Sequence, residues 1–174
     1  NYPGARAAYA ELSAGKNPAV RLEAAQLLLE DRDPKGAREH IEALLRDVGD
    51  KVTGAALVEA MRIRTLTGGA VAAEALADKA FKAGAPPWML QREAARIAIR
   101  RGDLAGALTA VTKALDGSKA DIDTLYLACD LVEGAPEAFV AKVTKAVDER
   151  LTGLPDQLIA QGKLAIGRGD RDKA

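Results

Sequence analysis

The stretch RGDLAGALTAVTKAL, Arg101 to Leu115, decides the fold, because degraded copies of it return every 32 to 36 residues along a chain of 174. The register is clearest at one position, held by Ala37, Ala73, Ala107, Phe139 and Ala174, with separations of 36, 34, 32 and 35 residues. Four and seven residues later stand further apolar side chains: Ile41 and Leu44, Ala77 and Ala80, Val111 and Ala114, Val143 and Ala146. That spacing lines one face of a helix. A closing apolar residue follows in each copy (Leu45, Phe81, Leu115, Val147), and in three of them a lysine comes two residues before it, in DKAF, TKAL and TKAV. A period of this length belongs to stacked helix pairs, so the expected class is all-α.

The punctuation between helices agrees. Asp33, Asp103 and Asp170 lie four residues before the repeated position, where a carboxylate accepts the free N–H groups of a helix start. Gly102 and Gly169 precede two of them and suit the positive φ at the end of the previous helix. Pro34, Pro136 and Pro18, after Asn17, fall where a first-turn proline costs nothing. Helices are expected near 3–14, 18–31, 34–48, 53–67, 70–83, 87–101, 104–116, 120–133, 136–152 and 155–168, joined by short turns.

These residues resemble the tetratricopeptide repeat, whose unit is a helix pair with a period of roughly 34 residues. Its second helix carries the spacing matched by Ala107, Val111, Ala114 and Leu115, and its small first-helix site is matched by Gly162 in QLIAQGKLAIGRGDRDKA. Leucine and alanine stand where the family has first-helix aromatics, and a HEAT-like array is the structural alternative. The resemblance implies a right-handed α-solenoid of antiparallel helix pairs, about ten helices, in one repeat domain over 1–174. Its units fall at 18–51, 52–86, 87–118 and 119–153, with partial units at 1–17 and 154–174. Both ends read as cut, so a fragment of a longer protein is expected.

Composition bounds the function. With 48% hydrophobic but only 3% aromatic residues, the core must be built from Ala, Leu and Val. Lys+Arg and Asp+Glu are both 25, so the basic excess usual in a nucleic-acid binder is missing. A single cysteine excludes an internal disulfide and a Cys-rich zinc site. No uncharged apolar stretch approaches the ~18 residues of a membrane span. The compartment is left open between a cytoplasmic, a periplasmic and an anchored form, with the cytoplasm favoured.

Chemistry-bearing residues mostly read as scaffold. The two Arg-Gly-Asp tripeptides, at Arg101 and Arg168, share one phase of the repeat and are a helix end, a turn and a cap. His40 has no second ligand at metal spacing, Gly68-Gly69 lacks the strand and the lysine-serine of a phosphate loop, and Trp88 opens a helix as a packing residue. Arg92, Arg96 and Arg100 differ. At i, i+4, i+8 they stack three like charges, which disfavours a helix by ~0.2–0.5 kcal/mol per pair.

In the family resembled, first helices line a concave surface, and the carry-over turns the three arginines toward it. Arg62, Lys163, Leu22, Gln26, Val58, Met89, Leu125, Cys129 and Ile159 would line the same groove. The specialised two-carboxylate clamp of chaperone-binding members is not matched: Leu22, Gln26, Glu59, Met89 and Glu93 stand at its sites. The expected function is a non-enzymatic protein–protein interaction scaffold, without cofactor or metal. It binds an extended, acidic segment of another protein through Arg62, Arg92, Arg96, Arg100, Lys163, Met89, Leu125 and Cys129. The competing expectations are a solvated arginine face paired with its own acids, and a structural module of a larger secretion, pilus or envelope assembly or of a larger enzyme. Self-association through the solenoid ends belongs to the second; no nucleic-acid partner and no membrane insertion are expected.

Overall fold

Short polar side chains set the helix starts in the computed structural model, which describes residues 17–118, 121–151 and 155–169, apart from the side chains of Val48 and Asp50. The expected helix over 3–14 and the residues Asp170 and Ala174 lie outside the described residues. Asp33 Oδ1 accepts from Gly36 N at 2.9 Å, Asp103 Oδ1 from Gly106 N at 2.8 Å and Asp121 Oδ2 from Thr124 N at 2.8 Å. Caps of this kind contribute about 1 kcal/mol each. Pro18 and Pro34 occupy first turns. Helix ends close by the complementary device, in which a residue in the left-handed region lets the next N–H reach back over the last turn. Asp103 N donates to Ala98 O at 2.9 Å beyond Gly102, whose φ is 73°. Asp33 N donates to Leu28 O at 2.7 Å beyond Arg32, whose φ is 60°.

The chain forms two compact units, Asn1–Pro86 and Pro87–Ala174. In the described part of the first lie α1 (Pro18–Glu30), α2 (Pro34–Val48), a 3-10 turn (Gly49–Lys51), α3 (Gly54–Leu66), α4 (Ala70–Glu74) and α5 (Ala77–Lys82). The second holds α6 (Pro87–Arg100), α7 (Leu104–Gly117), α8 (Ile122–Asp130), α9 (Glu137–Arg150) and α10 (Pro155–Gly167). No strand occurs among the described residues, and most helix bounds fall within two residues of the expected ones.

Two elements depart from expectation. The helix expected over 70–83 is broken at Ala75–Leu76. Arg64, held by both oxygens of Glu42 at 2.9 and 2.7 Å, donates from Nη1 to Ala72 O at 2.9 Å. Ala72 O is the acceptor Leu76 N would use in an unbroken helix; Leu76 N turns instead to Ala73 O at 3.0 Å. Phe81, beyond the break, is 61% exposed, whereas Leu115 and Val147 at the same repeat position are buried. The helix expected over 120–133 stops at Asp130, because Leu131 and Val132 are buried in the following turn rather than on a helix face. Pro136 accordingly stands at the cap position and not in the first turn.

Small residues bring the helices together. In the first unit Gly54 N donates to Ala83 O at 3.0 Å, and a Cβ there would lie 2.2 Å from Ala85 N, so α3 begins directly on backbone. In the second, a Cβ on Gly117 would lie 2.8 Å from Trp88 Cβ, and one on Gly167 2.2 Å from Val132 Cγ2. Ala37, Ala73 and Ala107 of the repeat are fully buried. Ile41, Leu44, Leu57 and Met61 fill the first core, and Val111, Leu115, Leu125 and Val143 the second, each large side chain contributing about 1.5–3 kcal/mol by leaving water. Arg150 clasps α9 to the end of α7, donating to Ser118 O at 2.7 Å and Leu115 O at 3.0 Å.

Candidate functional site: the face of the first helices

Placing Ala73 and Ala107 in register sets Val58 beside Arg92, Glu59 beside Glu93 and Arg62 beside Arg96. With Ala37 added, a short pattern emerges that the spacing of the arginines alone did not reveal: Glu23-Ala24-Ala25-Gln26, Glu59-Ala60-Met61-Arg62, Glu93-Ala94-Ala95-Arg96. An acid and a donor three residues apart meet on one helix face. In the first unit Glu59 Oε1 accepts from Arg62 Nε at 2.8 Å and from Gln26 Nε2 of α1 at 2.9 Å. The Arg62 side chain stays half-buried beside it, Leu22 is half-buried and Val58 is in the core.

In the second unit the three arginines of α6 have three different fates. Arg92 is buried; its Nε donates to Glu93 Oε1 at 3.1 Å and its Nη1 to Asp121 Oδ2 at 2.9 Å, with Asp123 Oδ2 at 3.6 Å. The guanidinium also lies 5.7 Å from the centre of the Trp88 ring. Burial depresses its pKa, but the charges of Glu93 and Asp121 and their hydrogen bonds outweigh that, so it stands above the ordinary arginine value. Asp121 thereby caps α8 and neutralises Arg92 at once. Arg96 is half-buried and donates to Glu93, which is wholly buried. Arg100 is exposed, and among the described residues nothing pairs with its side chain.

The other expected residues scatter. Lys163 pairs with Asp130 and lies 5.8 Å from the centre of the Tyr126 ring. Tyr126 Oη donates to Asp156 Oδ1 at 2.6 Å, which with burial and the Asp156 charge pushes the phenol up to about 12. Met89 is half-buried and Ile159 is exposed. Leu125 and Cys129 belong to the core of the second unit and do not line an open surface. Burial, with the charge of Asp130, pushes the Cys129 thiol up to about 11, leaving little thiolate near neutrality.

His40 is half-buried on α2, its pKa lowered by burial and by Arg21. Gly68, with φ 86°, is a turn. An open cavity of about 460 Å³ beside α5 is lined by Val52, Ala75, Asp78, Lys79, Lys82 and Ala83, and Lys79 Nζ already donates to Gly49 O at 3.0 Å. Among the described residues no group of three His, Cys, Asp or Glu could hold a metal, and no helix is long and apolar enough to cross a membrane.

The face therefore consists of donors and acids from α6, α8 and α10. Arg92, in the first half of α6, reaches the start of α8, and Lys163, in the second half of α10, reaches the end of α8. Asp156, at the start of α10, meets Tyr126 in the middle of α8, so α8 and α10 run in the same direction, as alternate members of an antiparallel array must, and α6 takes the alternate place before them.

No family model matches the chain, and no curated protein matches it. Solved structures do. A tetratricopeptide repeat protein from Parabacteroides merdae superposes with a TM-score of 0.71 at 16% identity, over 97% of this chain and 66% of that one. YrrB, a TPR protein with an unusual peptide-binding site, superposes with a TM-score of 0.52 at 14% identity, over 91% of this chain and 90% of its own. Capped helix pairs, a period near 34 residues and these likenesses agree: the chain is a helical-repeat protein with the tetratricopeptide-repeat fold.

Proposed function

We propose that the chain is a non-catalytic scaffold that binds an extended, acidic segment of a partner protein along the face of its first helices. The observation that carries this is the unequal pairing of the α6 arginines, which leaves Arg100 and the outer edge of Arg96 open to a carboxylate-bearing ligand. Met89 and Lys163 are the further residues of the second unit assigned to the segment. YrrB, of the same fold, has a peptide-binding site, which supports a peptide as ligand class. Equal numbers of acidic and basic residues speak for protein over nucleic acid.

The test is parallel affinity capture from lysate with wild type and with Arg96→Glu/Arg100→Glu, read by mass spectrometry. Arg92 is left intact because its charge is part of the fold. A partner held by wild type and lost by the variant, with unchanged circular dichroism, is the expected result; identical captures from both would remove the arginines from the interaction.

A second reading, a module packed against a neighbouring subunit, is favoured by one observation: α10 leaves Leu158, Ile159 and Ile166 exposed at 73%, 52% and 61%. If that is the role, sedimentation equilibrium of the wild type will show concentration-dependent mass that Ile159→Asp abolishes.

A further inference from the structure

The stripe Arg92, Arg96, Arg100 is uniform in sequence and graded in structure, and the gradient runs along the helix. At its start the guanidinium has Glu93, Asp121 and Asp123 within 3.6 Å and is closed off from water. In the middle it shares Glu93 and keeps an 18% exposed side chain. At the end nothing among the described residues pairs with it. Around the first arginine the acids outnumber the cation, since Asp121 and Asp123 sit together at the start of α8, where the helix dipole favours them. The starts of α8 and α10 are therefore acidic, with Asp121, Asp123 and Asp156, whereas the second half of α6 carries Arg96 and Arg100, and the acid at the end of α8, Asp130, is already paired with Lys163.

An acidic chain crossing the starts of α8 and α10 would meet like charge. Crossing the end of α6, it meets one guanidinium whose N–H donors are unused among the described residues and a second already oriented by Glu93. A guanidinium holds a carboxylate through two parallel hydrogen bonds, and a fork whose orientation is set beforehand loses less freedom on binding.

We infer that the acidic segment docks at the C-terminal end of α6, on Arg96 and Arg100, and that Arg92 takes no direct part in binding. This rests on the scaffold function proposed above and narrows it to one edge of the second unit. Arg92 is a positioning residue, holding α8 against α6 so that the two outer arginines keep their place.

The probe is fluorescein-labelled decaglutamate, titrated with the full 174-residue chain and followed by fluorescence anisotropy. Arg100→Glu breaks no pair among the described residues, so it tests the edge without endangering the fold. Arg96→Glu/Arg100→Glu tests the whole edge, and Lys113→Glu, exposed on α7, makes the same charge change elsewhere. Arg100→Glu is expected to weaken binding about fivefold or more, and the double variant further, with Lys113→Glu within about twofold of wild type. No binding of decaglutamate by wild type, or equal losses in Lys113→Glu and Arg100→Glu, overturns the assignment. A partner captured from lysate whose binding ignores Arg96 and Arg100 would also overturn it while leaving the scaffold function standing.

Discussion

Val58 in the first unit and Arg92 in the second occupy the same position of the repeat and are 1% and 5% exposed, yet one is a hydrocarbon and the other a cation. Val58 fits an apolar core and needs no partner. Arg92 needs Glu93, Asp121 and the Trp88 ring, drawn from α6 itself and from the start of α8. The general lesson for repeat arrays is that a buried position can be filled by either chemistry, but the ionic choice is directional. An apolar contact tolerates sliding, whereas a fork held by a capping aspartate specifies one arrangement. The cost is vulnerability, since losing one member strands the others in a low dielectric. Arg32 and Gly102 form a second matched pair: both lie in the left-handed region at the turn between paired helices, at φ 60° and 73°, and only glycine does so without steric penalty.

The largest expected effect is Arg92→Ala, which strips the buried cation from Asp121 and leaves the wholly buried Glu93 with Arg96 alone, and should destabilise the second unit by about 3–5 kcal/mol. Urea denaturation followed by circular dichroism measures it, and a loss under about 1 kcal/mol would show the network to be dispensable. Val58→Ala, the matching cut in the first unit, removes only two methyl groups and should cost about 2 kcal/mol by the same assay. If the two losses were equal, the contrast between ionic and apolar filling would collapse.

Smaller changes sharpen the picture at the helix ends. Asp103→Ala removes a cap and nothing else among the described contacts, and should cost about 1 kcal/mol; Asp121→Ala removes a cap and the Arg92 pair together, and must cost clearly more. Arg32→Gly should raise stability by about 0.5 kcal/mol, the left-handed strain relieved exceeding the chain entropy added. A lower midpoint in that variant would mean that the arginine side chain contributes more than its backbone costs.

The last effect is spectroscopic. Hydrogen-bonded to Asp156, the Tyr126 phenol ionises at about 12 in the folded chain, above the ordinary value near ~10. The stability that this hydrogen bond contributes is therefore fully present below about pH 10 and is lost as pH rises through about 12. Tyrosinate absorbance of wild type minus Tyr126→Phe should show that late step, and Asp156→Asn should move it toward lower pH.

Much of the fold is written in local pattern. The period, the capping aspartates and the left-handed turn at Gly102 follow from spacing and residue type, because helix starts and ends are settled by side chains a few residues away. Where spacing misled, the cause was tertiary. The break at Ala75–Leu76 comes from Arg64 reaching across to Ala72 O, and α8 stops early because its next two apolar residues are used by a turn. No periodicity within a single helix encodes either event. On the first-helix face the donors were legible but their partners were not. The recurring Glu-Ala-x-Gln/Arg pattern was available, and would have tied Arg62 and Arg96 to Glu59 and Glu93 in advance.

By itself the sequence determined that this chain is a stack of helix pairs near a 34-residue period, because an apolar stripe every three to four residues makes helices and its return at that period makes each pair bury its stripe against its neighbours. Only the tertiary structure decided which of three equally spaced arginines became part of the core and which stayed exposed. Spacing fixes the face a side chain shares, but its charge is neutralised by groups some 29 residues away, as Asp121 is from Arg92, and their approach exists only once the pairs have packed.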